Sequence, residues 1–133
     1  MKKIIFLLLY IVSCCGCEHN TEIQKFTTGT YYGEKITHYL YMDITFYDTI
    51  SIKFDGIKYI YTCSNALDYG GGNYFIKNDS LEFNDEYARN ALYSWAWILG
   101  GMYKYKIIDD SLFLNNMYYG NRTTCRLVKV AEL

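Results

Sequence analysis

The sequence predicts a mainly β protein: an antiparallel meander of eight or nine short strands closing as a barrel, with one short helix near 86–99. Three observations predict it. Two-residue turn signals recur between short runs of alternating apolar residues. Aromatic residues make up 19% of the chain, with 16 tyrosines, and tyrosine fits a half-buried pleated surface. Proline is absent, which suits unbroken ladders because proline removes a backbone donor. At 133 residues the chain has room for one domain, and 51% hydrophobic with 20% charged residues excludes wholesale disorder.

The first segment is not part of that domain. Lys2 and Lys3 precede the apolar run Ile4 to Val12, which is a signal-peptide layout and too short for the ~20 residues that span a bilayer. Ser13, Cys14, Cys15, Gly16 and Cys17 stand where a small-residue cleavage site is expected. Ile11-Val12-Ser13-Cys14 resembles the bacterial lipobox, in which the cysteine becomes N-terminal and lipidated. Small side chains let the peptidase approach the backbone, and the thiol carries the diacylglycerol. Cys14 is the expected lipidation site and Cys17, behind Gly16, the alternative. An ordinary cleaved secretory signal with incidental cysteines is the competing reading. The expected organisation is a leader over 1–13 (or to 16), a tether over 14–25, and a single β-barrel domain over 26–133.

Each strand then follows from local pattern. Early strands are expected near Phe26 to Tyr32 and near Tyr39 to Tyr47. Ile50 to Phe54, the turn Asp55-Gly56, and Ile57 to Tyr61 form a hairpin in which Phe54 faces Ile57, Ile52 faces Tyr59 and Ile50 faces Tyr61. A second hairpin joins Tyr74–Lys77 to Ser80–Phe83 through Asn78-Asp79, pairing Ile76 with Leu81 and Tyr74 with Phe83. The third joins Tyr105–Ile108 to Ser111–Leu114 through Asp109-Asp110, pairing Ile107 with Leu112 and Tyr105 with Leu114. A last strand is expected near Thr123 to Val130. Successive hairpins make a meander, and closing it removes its edges. Between the second and third hairpins, Ala88, Ala91, Leu92, Trp95, Ile98 and Leu99 recur at helical spacing, with Asn84 or Asp85 as cap and Gly100 as stop. The competing reading there is a strand turning at Gly100-Gly101.

Several chemistries find no support in the pattern. Formal net charge is −1, and losing Lys2 and Lys3 with the leader leaves a mildly acidic chain, so no basic composition points to nucleic acid. His38 at a strand entrance reads as a surface residue, and His19 lies beside the lipobox. No G-x-S-x-G, HExxH or His-rich set occurs, so neither a catalytic set nor a metal is expected, and no cofactor. Asp109-Asp110 is turn chemistry and Asp85-Glu86 helix-start chemistry. Asn78-Asp79 with Asn84-Asp85 lacks the twelve-residue calcium-loop pattern. Gly70-Gly71-Gly72 has no following Lys-Ser/Thr and reads as a flexible loop at a barrel mouth.

Cys63 and Cys125 are the cysteines left to the folded part. Outside the cytoplasm they form a plausible disulfide; otherwise they are buried thiols. The aromatics Tyr59, Tyr61, Tyr74, Tyr103 and Tyr105, with Phe83, fall on inward faces. They either fill a small barrel or line a cavity for an apolar ligand. Outward Tyr93 and Trp97, with Tyr118-Tyr119 in the last hairpin loop, form a candidate partner-contact patch.

Gly29-Thr30-Tyr31 followed by repeated hairpins resembles the small lipocalin-like (calycin-type) lipoproteins of Gram-negative bacteria, whose first strand begins Gly-x-Trp. That resemblance implies a lipocalin-like barrel holding a small apolar ligand. The expected function is a non-enzymatic binding module, lipid-anchored in the cell envelope at an outer-membrane surface. The alternative is an envelope-interaction protein resembling the lipoprotein lysozyme inhibitors, which are also small barrels bearing a disulfide. An enzyme requires His38 to meet Cys63 or a carboxylate in a cleft.

Overall fold

The computed structural model describes residues 26–64, 69–87, 99–118 and 120–131. Among them eight strands form one closed antiparallel barrel in strict chain order: β1 (Gly29–Tyr39), β2 (Ile44–Asp55), β3 (Lys58–Cys63), β4 (Tyr69–Lys77), β5 (Ser80–Asp85), β6 (Gly101–Ile108), β7 (Ser111–Tyr118) and β8 (Asn121–Lys129). Closure comes from β1, which pairs with β2 on one side and with β8 on the other.

Eight strands are found, within the expected eight or nine, and Leu40 to Asp43 turn within the segment expected as a strand over Tyr39 to Tyr47. Asp43 takes φ +51°, and Met42 N donates to Tyr39 O at 3.2 Å. The remainder of that segment joins Ile50–Phe54 in the 12-residue β2. Three successive apolar residues, Leu40-Tyr41-Met42, hid the turn.

The second and third hairpins take the expected registers, Tyr74 opposite Phe83 and Tyr105 opposite Leu114. Asn78 and Asp109 supply the positive φ that opens each loop, at +54° and +52°. The first hairpin is displaced by two residues. Phe54 lies opposite Tyr59 and Ile52 opposite Tyr61, so the loop is Gly56-Ile57 and Asp55 pairs with Lys58. Positive φ falls on Gly56 alone of the loop pair, the signature of a type II′ turn instead of the expected I′. A displacement of two preserves every side chain's face. The apolar layer therefore survives, while Ile57 moves into the turn and is exposed.

Gly70-Gly71-Gly72 is strand, not loop: it opens β4 and pairs with Tyr61, Ile60 and Tyr59. A Cβ at Gly71 would stand 2.6 Å from Tyr59 O, and one at Gly72 would overlap Asn84 O. Inward Gly70 and Gly72 face Tyr61 and Tyr59 across the ladder and leave the interior to those rings. Gly33 has the same use on β1, where a Cβ would overlap the Arg126 carbonyl.

The helix expected over 86–99 falls mostly outside the described residues. Glu86, Tyr87, Leu99 and Gly100, at its ends, have no regular structure.

Candidate functional site

The interior divides into two ends. At the lower end, where the chain enters at Phe26, five rings meet. Phe26 packs against Phe54 at 4.8 Å, Tyr74 at 5.7 Å, and Tyr31 and Tyr105 at 6.1 Å between centroids. The entering segment thus plugs the barrel floor, where a first strand residue had been expected. Thr27 holds it in place by accepting from Lys129 Nζ at 2.9 Å and meeting the Tyr31 hydroxyl.

Above that floor lie the tyrosines singled out as ligand contacts. Tyr59, Tyr61, Tyr74 and Tyr103 are buried and Tyr105 is half-buried, all facing inward as expected. Among the described residues they pack through their rings: Tyr59 meets Phe83 edge-on at 4.8 Å, and Phe83 meets Tyr103 at 5.4 Å. Their hydroxyls find protein partners. Tyr59 donates to Leu99 O, Tyr61 accepts from Leu99 N–H, and Tyr74 donates to Gly56 O at 2.7 Å. Tyr74 is consequently pushed above its ordinary pKa, by desolvation first and by the nearby Asp55 charge second.

The upper end is different, and the sequence reading missed it. Lys35, Thr37 and Thr123 are buried on inward positions, with Lys35 directly opposite Asp48 on β2 and Cys125 on β8. Ser64 Oγ donates to the Asp48 carboxylate. A buried ammonium is costly unless carboxylates or hydroxyls face it, and this layer supplies both kinds of oxygen. Gly33-Glu34-Lys35-Ile36-Thr37-His38 gave no warning, because polar residues occupy both faces of the strand and the apolar period of two disappears.

The expected disulfide is not formed: Cys63 and Cys125 are thiols. Their places in the barrel give the reason. Cys125 lies on β8 and Cys63 on β3, with β1 and β2 between them. Three strand spacings of ~4.8 Å exceed the ~4.4–6.8 Å between Cα atoms that a disulfide allows. The disulfide that the resemblance to lysozyme inhibitors drew on is therefore missing.

His38 sits on the outer face at the top of β1. Its Nδ1 meets Thr45 Oγ1 at 2.8 Å and its Nε2 lies 3.7 Å from the Asp43 carboxylate. Cys63 faces the interior, so the wall separates these two residues. Asp43 is almost fully exposed on the turn, so the pair stands at the surface and not in a cleft. Among the described residues no group of His, Cys, Asp and Glu is placed to hold a metal.

Of the expected partner-contact residues, Tyr93, Trp97 and Tyr119 lie outside the described residues, as do Cys14 and Cys17. Tyr118 ends β7 opposite Asn121. A different apolar surface stands out at the same end. The β1–β2 tip exposes Leu40, Tyr41, Met42, Ile44, Phe46 and Tyr47, with Tyr41 at 89% and Tyr47 at 71%. Leu40 N donates to Gly120 O at 2.8 Å, tying the tip to the β7–β8 turn.

The described residues thus form an eight-stranded meander barrel with a core of buried aromatic and aliphatic side chains. No protein-family model matches it, and neither a curated protein nor a solved structure shows significant similarity to it.

Proposed function

We propose that this protein is a non-enzymatic, lipid-anchored barrel of the bacterial cell envelope that recognises a partner protein with its outer surface instead of holding a ligand inside. One observation carries the choice between the two. The tyrosines that would line a ligand cavity are packed ring on ring with their hydroxyls bonded to Leu99 and Gly56. Apolar side chains are instead presented to solvent at the β1–β2 tip. Contiguous exposed aromatic and aliphatic residues of this kind mark contact surfaces. The tip stands at the opposite end of the barrel from Phe26, so an anchored chain displays it away from its point of attachment. The lipobox-like Ile11-Val12-Ser13-Cys14 supports the anchor, and with it the envelope location.

Two measurements test the reading. Metabolic labelling with a fatty acid is expected in the wild type and lost in Cys14→Ala, or in Cys17→Ala if that residue is the acceptor. A photo-crosslinking residue at Tyr41 or Tyr47 is expected to give one discrete envelope-protein adduct that the same residue at Ile60 does not give. Stoichiometric displacement of a hydrophobic dye from the barrel interior would instead favour the ligand-carrying reading.

A further inference from the structure

The three strands β6, β7 and β8 carry Lys104, Lys106, Arg122, Arg126 and Lys129 without a carboxylate among them, in a chain whose formal charge is −1. Side-chain alternation places Lys104, Lys106, Arg122 and Arg126 on the outer face, all exposed. The register arranges them in rows. Lys106, Phe113 and Arg126 form one row across the wall, followed toward the top by Lys104, Asn115 and Thr124. Between these rows lies a shallow depression of about 430 Å³, lined by Lys104, Lys106, Phe113, Asn115, Thr124 and Arg126. Acidic groups stand at the edges of this wall, leaving the basic residues on its middle. Asp79 holds Lys104 Nζ at 2.8 Å, Glu34 on β1 lies opposite Arg126, and exposed Asp109 and Asp110 form the β6–β7 turn beyond Ile108, at the wall's foot.

The next row toward the floor is apolar. Ile108, Val128 and Tyr32 are exposed on the same outer face, joined in register through Ser111. At the foot of this wall the chain arrives: Lys129 on β8 holds Thr27, one residue after Phe26. The N-terminal segment is therefore joined to the barrel at the end where the apolar row lies.

We propose that the outer wall of β6–β8, with Tyr32 of β1, is a membrane-contact surface for anionic lipid headgroups. Ile108, Val128 and Tyr32 enter the interfacial region while Lys106, Arg122 and Arg126 meet phosphates. A cationic surface bordered by exposed apolar side chains is the combination that interfacial binding uses. It is favoured over an acidic protein because the apolar row lies next to the point where the anchored segment joins. The inference deepens the lipid-anchored reading and takes from it only the bilayer beside the barrel. The barrel then lies on its side near its anchor, with this wall down.

The test uses the full chain with vesicles of phosphatidylcholine alone or mixed with phosphatidylglycerol. It compares wild type, K106E/R126E, and K53E/K58E on β2 and β3, outside the proposed surface, where both lysines are exposed. All three chains share the same first residues, so differences between them read the walls alone. Wild type and K53E/K58E are expected to prefer the anionic vesicles on the order of tenfold more than K106E/R126E does, with the difference shrinking at high salt. In V128W, brominated lipids are expected to quench the new tryptophan. Equal preference in all three chains overturns the proposal, as does an equal loss in both charge variants. Binding of heparin or inorganic phosphate through Lys106 and Arg126 without vesicle preference also overturns it, pointing to a soluble polyanion. Fatty-acid labelling is read separately: labelling without wall-dependent binding removes this inference alone, and wall-dependent binding without labelling removes the anchor alone.

Discussion

The Tyr59 hydroxyl lies 3.1 Å from the carbonyl oxygen of Leu99, forty residues away in the chain, and donates to it inside the barrel. Two positions along β3, Tyr61 accepts from the amide of the same leucine at 3.2 Å. One strand thus satisfies both backbone groups of a fully buried residue that belongs to no ladder. Tyr59→Phe leaves the carbonyl buried without its donor, and Tyr61→Phe leaves the amide without its acceptor. Each is expected to cost about 1–3 kcal/mol, read from urea midpoints, with little change in slope. A loss below a few tenths of a kcal/mol in both would mean that Leu99 is not held in this way.

Glycine positions separate steric from conformational constraint. Gly72→Ala places a methyl against the Asn84 carbonyl, where neither strand backbone has room to give. It is expected to cost several kcal/mol or prevent folding, as overpacking against backbone does. Gly56→Ala meets nothing within 4 Å but must hold φ +58°. Its expected cost is about 1 kcal/mol, from the left-handed backbone alone. Thermal melts of the two variants check the order.

Alkaline pH is expected to weaken the fold through Tyr74. Its folded pKa is raised by desolvation and by Asp55, so the folded state keeps its proton after the unfolded chain has lost it. Stability is therefore full below the ordinary tyrosine pKa and declines as pH rises above it. Tyr74→Phe should flatten that part of the decline, seen in urea midpoints across the alkaline range. Asp79 acts in the opposite window. A hydrogen bond from Lys104 lowers its pKa, so its contribution is present above the ordinary carboxylate pKa and fades as pH falls below it. Full exposure keeps that contribution small.

Thiol chemistry tests the missing disulfide. Alkylation of the native protein followed by peptide mapping is expected to modify half-buried Cys63 faster than fully buried Cys125. Unfolding without reductant should make both reactive. Resistance of both until reductant is added would show that they are joined.

Legibility followed the strength of local rules. Asn78-Asp79 and Asp109-Asp110 each sit between short, cleanly alternating strands, and both registers could be read to the residue. Asp55-Gly56 misled by two positions because Ile57 alternates as well as Tyr59 does, and a shift of two leaves every face unchanged. The inward faces of Tyr59, Tyr61, Tyr74, Tyr103 and Tyr105 were legible, but whether they enclose space was not. That depends on Phe26 closing the floor and Leu99 reaching the interior, contacts between residues far apart in the chain. The cationic wall was invisible in a near-neutral whole-chain composition, because the basic residues of the last three strands are offset by carboxylates that lie mostly before Gly101.

Because β1 is zipped to β8 from Tyr31–Lys129 through Tyr39–Asn121, the first strand made finds half of its ladder only in the last. Synthesis halted anywhere before Asn121 leaves that flank of β1 bare, so the ring forms only once essentially the whole polypeptide is available. Such long-separation pairing slows folding. On the envelope location proposed above, the chain would cross a membrane before closing, and nothing closed would have to be unmade on the way.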